Sequence, residues 1–121
     1  MQQNAATVYR LSRRQPADVP WNGPLRMRVA LFQPDIPHNV GAAIRLAACL
    51  AVPLDVIEPG AFPLSDKSVR RAAMDYAASA EVSRHDSWAA FLAAPARAEG
   101  RLLLFSTRAA EPFQHFAYAP G

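Results

Sequence analysis

The sequence predicts an α/β fold: a Rossmann-like parallel sheet covered by helices on both faces. Three observations carry this. Short apolar runs at 28–32, 54–57 and 101–107 have the length and composition of buried strands. Segments with helical spacing separate them, one from Asn39 and one from Ser65 or Asp66 toward Tyr76. Prolines and glycines punctuate the junctions, so the element order reads βαβαβαβ.

The first strand is Arg28-Val-Ala-Leu-Phe32, and Pro34 and Pro37 stop it and stiffen the turn by fixing φ. Asn39 is placed to N-cap the helix that follows, although a residue that touches a ligand would look the same. Gly41 in the first turn lets another backbone or a ligand come close. Arg45 lies one turn after Gly41, so a cation sits beside a bare stretch of helix, a face suited to a phosphate. Alanines 42, 43, 47 and 48, with Ile44 and Leu46, make this a tightly packed helix. Pro53 ends it, and Leu54-Asp-Val-Ile57 completes a βαβ unit.

Glu58-Pro59-Gly60 is a turn and Phe62-Pro63-Leu64 an irregular apolar patch. Ser65 or Asp66 then caps a helix through Lys67, Arg70 and Arg71 to Tyr76. Those three cations are either a surface that grips phosphates or a solvated helix face, and their spacing fits both. Glu81-Val-Ser83 is a weak strand, and Trp88, Phe91 and Leu92 have the spacing of core residues rather than of a base-stacking platform. Pro95 closes that helix, and Arg101 to Thr107 reads as the last buried parallel strand. Ligands of such sheets bind beyond the carboxyl ends of the strands, so the Asn39 turn, Glu58 and Phe105-Ser106-Thr107 are expected along one rim.

At 121 residues and 51% hydrophobic content the chain suits one small domain, expected over 26–121 after a flexible basic extension at 1–25. Arg10, Arg13 and Arg14 in that extension are either solvated or in contact with phosphates. No apolar run approaches a membrane span and no secretory signal opens the chain, so a soluble protein is expected. The single Cys49 forms no internal disulfide; it reads as a buried structural thiol in a reducing cytoplasm. A net charge of +3 is compatible with a nucleic-acid partner without identifying one. His38, His85 and His115 lack metal-site spacing, so no metal is expected. No Walker-type loop, G-x-G-x-x-G or nucleophile elbow is present, which argues against nucleotide-binding and hydrolase readings.

Asn39-x-Gly41-x-x-Ile44-Arg45 resembles the first signature motif of the SpoU-type ribose methyltransferases of the SPOUT (α/β knot) superfamily. Val56-Ile57-Glu58-Pro59, Asp66-Lys67, Val69-Arg70-Arg71-Ala72 and Asp75-Tyr76 follow in the order seen in the branch that methylates the wobble nucleotide of tRNA. The resemblance covers roughly residues 27 to 120. It implies an S-adenosylmethionine-dependent tRNA 2′-O-ribose methyltransferase in which Arg45 is catalytic, Asn39 supports it, and Lys67, Arg70 and Arg71 hold RNA. It also implies that Phe105, Ser106 and Thr107 line the cofactor, and that the family's homodimer is a partner state to consider. The family completes a trefoil knot with a glycine-rich loop and a Ser-Leu-Asn-type segment. Residues 108–121 match neither, so the domain is expected to be truncated before the knot, marginally stable or self-associating. Two further readings follow: a non-catalytic fragment that binds RNA weakly, and an α/β domain without a nucleic-acid partner.

Overall fold

Parallel strands pair only where a crossover carries the chain back, and two such crossovers build the sheet of this protein. The computed structural model describes residues 7–10, 27–97 and 100–118. In chain order the elements are β1 (Thr7–Arg10), β2 (Val29–Phe32), α1 (Pro37–Leu50), β3 (Leu54–Ile57), α2 (Lys67–Ala73), a 3₁₀ turn (Met74–Ala78), β4 (Val82–His85), α3 (Trp88–Ala93), a second 3₁₀ turn (Pro95–Arg97) and β5 (Leu103–Ser106). They fall into two compact units, residues 26–97 and residues 1–25 with 98–121.

The first unit holds a parallel sheet in the order β2-β3-β4, with Val29 opposite Leu54 and Leu54 opposite Val82. Side chains alternate across a strand, so Leu31, Leu54 and Val82 share one face. They pack there on Val40, Ile44 and Ala47 of α1 and Val69 and Ala73 of α2. Leu54 and Ile57 are fully buried, each such side chain stabilising the fold by roughly 1.5–3 kcal/mol. The opposite face carries Phe32, Asp55, Ile57 and His85, where Trp88 and Phe91 of α3 stack edge-on against Phe32 and His85 at 5.6 and 5.3 Å. Both faces therefore have helical cover, and the α/β architecture stands as the sequence implies.

Several local expectations are corrected. Helix α1 starts at Pro37, not after Asn39: the residue before it, Ile36, is extended at ψ 107° and caps without a side-chain bond. An N–H at the first helical position has no partner within the helix, so a proline, which lacks one, loses nothing there. Pro37 therefore sets the start and leaves Asn39 inside the first turn. Gly41 is buried, and a Cβ built on it would lie 2.4 Å from the Val69 carbonyl oxygen and 2.5 Å from Ala72 Cβ. Its bare face admits the backbone of α2, so no phosphate reaches it. Cys49 is exposed because the buried stripe of α1 is Val40, Gly41, Ile44 and Ala47, which leaves 49 on the wet side. The second helix stops at Ala73, where Met74 takes φ 54°, and continues as a 3₁₀ turn past Tyr76.

In the other unit β5 is not the last parallel strand. It pairs antiparallel with β1, Thr7 opposite Ser106 and Arg10 opposite Leu103, in a separate two-stranded sheet. An apolar run fixes a strand but not its partner, and here Thr7–Arg10 satisfies the backbone of β5. Four residues of the stretch expected to be flexible are thus a strand. Its Arg13 and Arg14 lie outside the described residues.

Candidate functional site

Arg45 projects from the middle of α1, one turn beyond the Gly41 crossing with α2, and is exposed. Its guanidinium meets the residues that follow α2: Nη1 donates to Met74 Sδ at 3.4 Å, and the carbon of the guanidinium lies 5.7 Å from the centre of the Tyr76 ring. That distance is within cation–π range. Met74 is delivered there by an unusual backbone, φ 54° and ψ −143°, which costs a non-glycine residue about 1–3 kcal/mol. Among the described residues no carboxylate pairs with Arg45. It is a full positive charge held by neutral groups.

Lys67, Arg70 and Arg71 are all exposed on α2, which Asp66 caps by accepting from Ser68 N at 2.7 Å, as the sequence suggests. None of the three pairs with a described carboxylate. Asn39 is also exposed, but it is six residues before Arg45, about 120° around the helix axis and roughly 9 Å along it. The structure brings Arg45 together with the end of α2; α1 does not by itself bring Asn39 to Arg45.

A second cluster was not legible as a site. Asp55, 2% exposed, accepts from Arg28 Nε at 2.9 Å and Nη2 at 3.0 Å, and its Oδ1 lies 2.7 Å from His85 Nε2. Burial alone would raise the Asp55 pKa; the bonds from Arg28 and His85 outweigh it and hold the carboxyl below its ordinary value. An ionised carboxylate only accepts, so His85 carries the hydrogen on Nε2. The Asp55 bonds raise the pKa of Arg28 against the opposing effect of burial, and Glu81 adds a contact at 3.6 Å. The signal available in the sequence was one acid inside an otherwise apolar strand. Nearby, Glu58 accepts from Arg84 Nη2 through both oxygens, at 2.7 and 2.9 Å, beside an open depression at the ends of β3 and β4 lined by Gly60, Phe62 and Asp86. The pair neutralises the charge of Glu58 on that rim.

Phe105, Ser106 and Thr107 lie at the end of β5, in a different sheet from the Asn39 turn and Glu58, so the expected common rim is not built from one sheet. Phe105 is 52% exposed, Thr107 is exposed, and Ser106 Oγ already accepts from Arg108 N at 3.2 Å. A nucleoside-sized cofactor needs most of its surface enclosed by well-placed polar groups. This open strand end does not by itself enclose S-adenosylmethionine, although Ser106 keeps its O–H as a donor.

Comparison with known proteins bears on the same stretch. Residues 26–120 match the model of the SpoU rRNA Methylase family. The chain belongs to that family. A relative from Beijerinckia indica named tRNA (cytidine(34)-2′-O)-methyltransferase is 48% identical over 92 residues, 76% of this chain and 58% of the relative. A relative of the same name from Burkholderia ambifaria is 44% identical over 77% of this chain and 60% of its own length. The chain therefore spans a little under three fifths to three fifths of the length of these family members. A solved structure concerned with 2-OH methylation of C/U34 on tRNA is 45% identical, with a TM-score of 0.53 over 54% of this chain and 43% of that one.

Proposed function

We propose that this chain forms the substrate-handling part of a tRNA 2′-O-methyltransferase that acts at the wobble nucleotide, with S-adenosylmethionine as the methyl donor. The observation that carries this reading is the 48% identity, over three quarters of the chain, to a family member named for that reaction. The geometry adds a cation with the right freedom. In methyl transfer the ribose 2′-hydroxyl is the nucleophile, so it has to be oriented and its neighbouring phosphate neutralised. Arg45 offers a planar fork of donors for that phosphate. Arginine is not deprotonated in proteins, so Arg45 acts by orientation and electrostatics rather than as a base. Asn39 supports it with a hydrogen bond to the substrate, and Lys67, Arg70 and Arg71 hold flanking phosphates.

Phe105, Ser106 and Thr107 form one open wall for the cofactor rather than an enclosed pocket. Their openness favours a second reading, in which the 121-residue chain binds tRNA without transferring a methyl group. In either reading tRNA is the partner, a second copy of the chain is a further one, and the cytoplasm is the setting. Among the described residues no helix is long and apolar enough to cross a membrane. The test is transfer of labelled methyl from S-adenosylmethionine to unmodified tRNA. Incorporation at nucleotide 34 that is lost in Arg45→Ala establishes the enzyme; tRNA binding without incorporation selects the second reading.

A further inference from the structure

Arg45 is held in a manner that the function above does not by itself require. An arginine kept in place inside a protein is commonly paired with a carboxylate, which fixes it but also consumes its charge. Here, among the described residues, the two side chains that hold it are neutral. The Tyr76 ring offers its face at 5.7 Å, and the thioether of Met74 accepts one hydrogen, from Nη1, at 3.4 Å. The guanidinium has five N–H donors in a fixed fork. With Nη1 turned to sulfur and the guanidinium carbon over the ring, the Nε and Nη2 edge remains for a bidentate phosphate.

The backbone at Met74 points the same way. A methionine at φ 54° and ψ −143° occupies a region that glycine enters without cost and other residues rarely do. Met74 is 56% exposed, so burial of its side chain does not compensate for that conformation. Helix α2 ends at this residue, and the reversal is what carries Met74 and then Tyr76 back to α1. Local strain that no core packing explains is characteristic of positions that serve a site.

We propose that Met74 and Tyr76 are positioning residues that hold the Arg45 guanidinium clear of the described carboxylates and aim its Nε–Nη2 edge at an RNA phosphate. This rests on the reading of Arg45 as the group that meets the substrate phosphate. A thioether and a ring are weak partners, so they order the guanidinium without competing for its charge.

The experiment measures binding of the full 121-residue chain to an unmodified anticodon stem-loop RNA, with urea unfolding run on every variant. Arg45 Nε–Hε is followed by NMR in the same samples. Tyr76→Leu and Met74→Leu each weaken binding roughly two- to fivefold, the range expected for an exposed cation–π or comparable contact. Tyr76→Phe, which keeps the ring, recovers the loss seen in Tyr76→Leu. In an Arg45→Ala background Tyr76→Leu has no further effect, and the ring-current shift of the Arg45 Hε resonance disappears in Tyr76→Leu alone. Met74→Gly separates position from stability: it removes the strain, unfolds at the same or higher urea, and still weakens binding. If Arg45→Ala weakens binding while Tyr76→Leu and Met74→Leu match the wild type, positioning is refuted and the function of Arg45 stands. If Arg45→Ala itself binds as the wild type does, the phosphate role of Arg45 falls and the positioning proposal falls with it.

Discussion

Arg28 grips Asp55 with two parallel hydrogen bonds, Nε to Oδ2 at 2.9 Å and Nη2 to Oδ1 at 3.0 Å, where the carboxylate is almost wholly buried in the central strand. A buried carboxylate fixed in this way makes stability depend on acid. The folded-state pKa of Asp55 is lowered. Its contribution is therefore fully present above the unfolded value, about 3.9, and is lost as pH falls from there through the lower folded value. Asp55→Asn should cost about 3–5 kcal/mol at neutral pH by leaving Arg28 without its charge partner. It should also flatten the acid limb of a stability-against-pH curve measured by urea unfolding.

Gly41→Ala should destabilise the protein although alanine is the better helix former by about 1 kcal/mol. The added Cβ would meet the Val69 carbonyl at 2.4 Å and Ala72 Cβ at 2.5 Å, and backbone does not yield as a flexible side chain would. Forcing α1 from α2 costs about 1–3 kcal/mol, visible as a lower urea midpoint with little change in slope.

The Glu58–Arg84 pair should contribute little although Nη2 reaches both carboxylate oxygens, at 2.7 and 2.9 Å, because the Arg84 side chain is 57% exposed. A double-mutant cycle on Glu58→Gln and Arg84→Gln should return a coupling of about 1 kcal/mol or less, shrinking further in added salt.

Phe91 is the one α3 side chain buried against the sheet, in contact with His85 at 5.3 Å and Trp88 at 5.4 Å. Phe91→Ala should cost about 3–5 kcal/mol in urea unfolding, more than Trp88→Ala, whose ring is already partly in water.

Replacing Lys67, Arg70 or Arg71 singly by alanine should reduce the salt dependence of binding to a single-stranded anticodon loop. The logarithmic slope should fall in magnitude by about 0.7 for each phosphate that the variant no longer neutralises, while the fold is unaffected. Unchanged slopes in all three variants would return these residues to the status of a solvated helix face.

Local chemistry was the legible part of the fold. Proline placement and apolar run length marked β2, α1 and β3, and Asp66 two residues before Ser68 marked the cap of α2. Where two local rules competed, the sequence did not say which would win: Pro37 took the helix start from Asn39. Alanine-rich helices hide their buried face, since Ala42 and Ala47 read alike, and so Cys49 reads as buried when it is not. Long-range pairing was the illegible part. Nothing near Leu103 names Thr7–Arg10 as its partner, and nothing near Asp55 names Arg28 and His85, which are 27 and 30 residues away. At the candidate site, Arg45 and the exposed cations of α2 were legible from spacing and resemblance. The contacts of Arg45 with Met74 and Tyr76 were not, because they arise from a chain reversal that no turn-forming residue announces.

The two crossovers of the sheet step in the same direction, which places α1 with 14 residues and α2 with 7 on one side and leaves α3, with 6, to roof the other. The thin roof stands over the one buried carboxylate of the sheet. Fraying a helix of under two turns would therefore wet Asp55, and wetting Asp55 would loosen the grip of Arg28 on β3. Acid and local unfolding thus press on the same hinge, and amides of α3 and β4 should exchange with solvent well before those of α1.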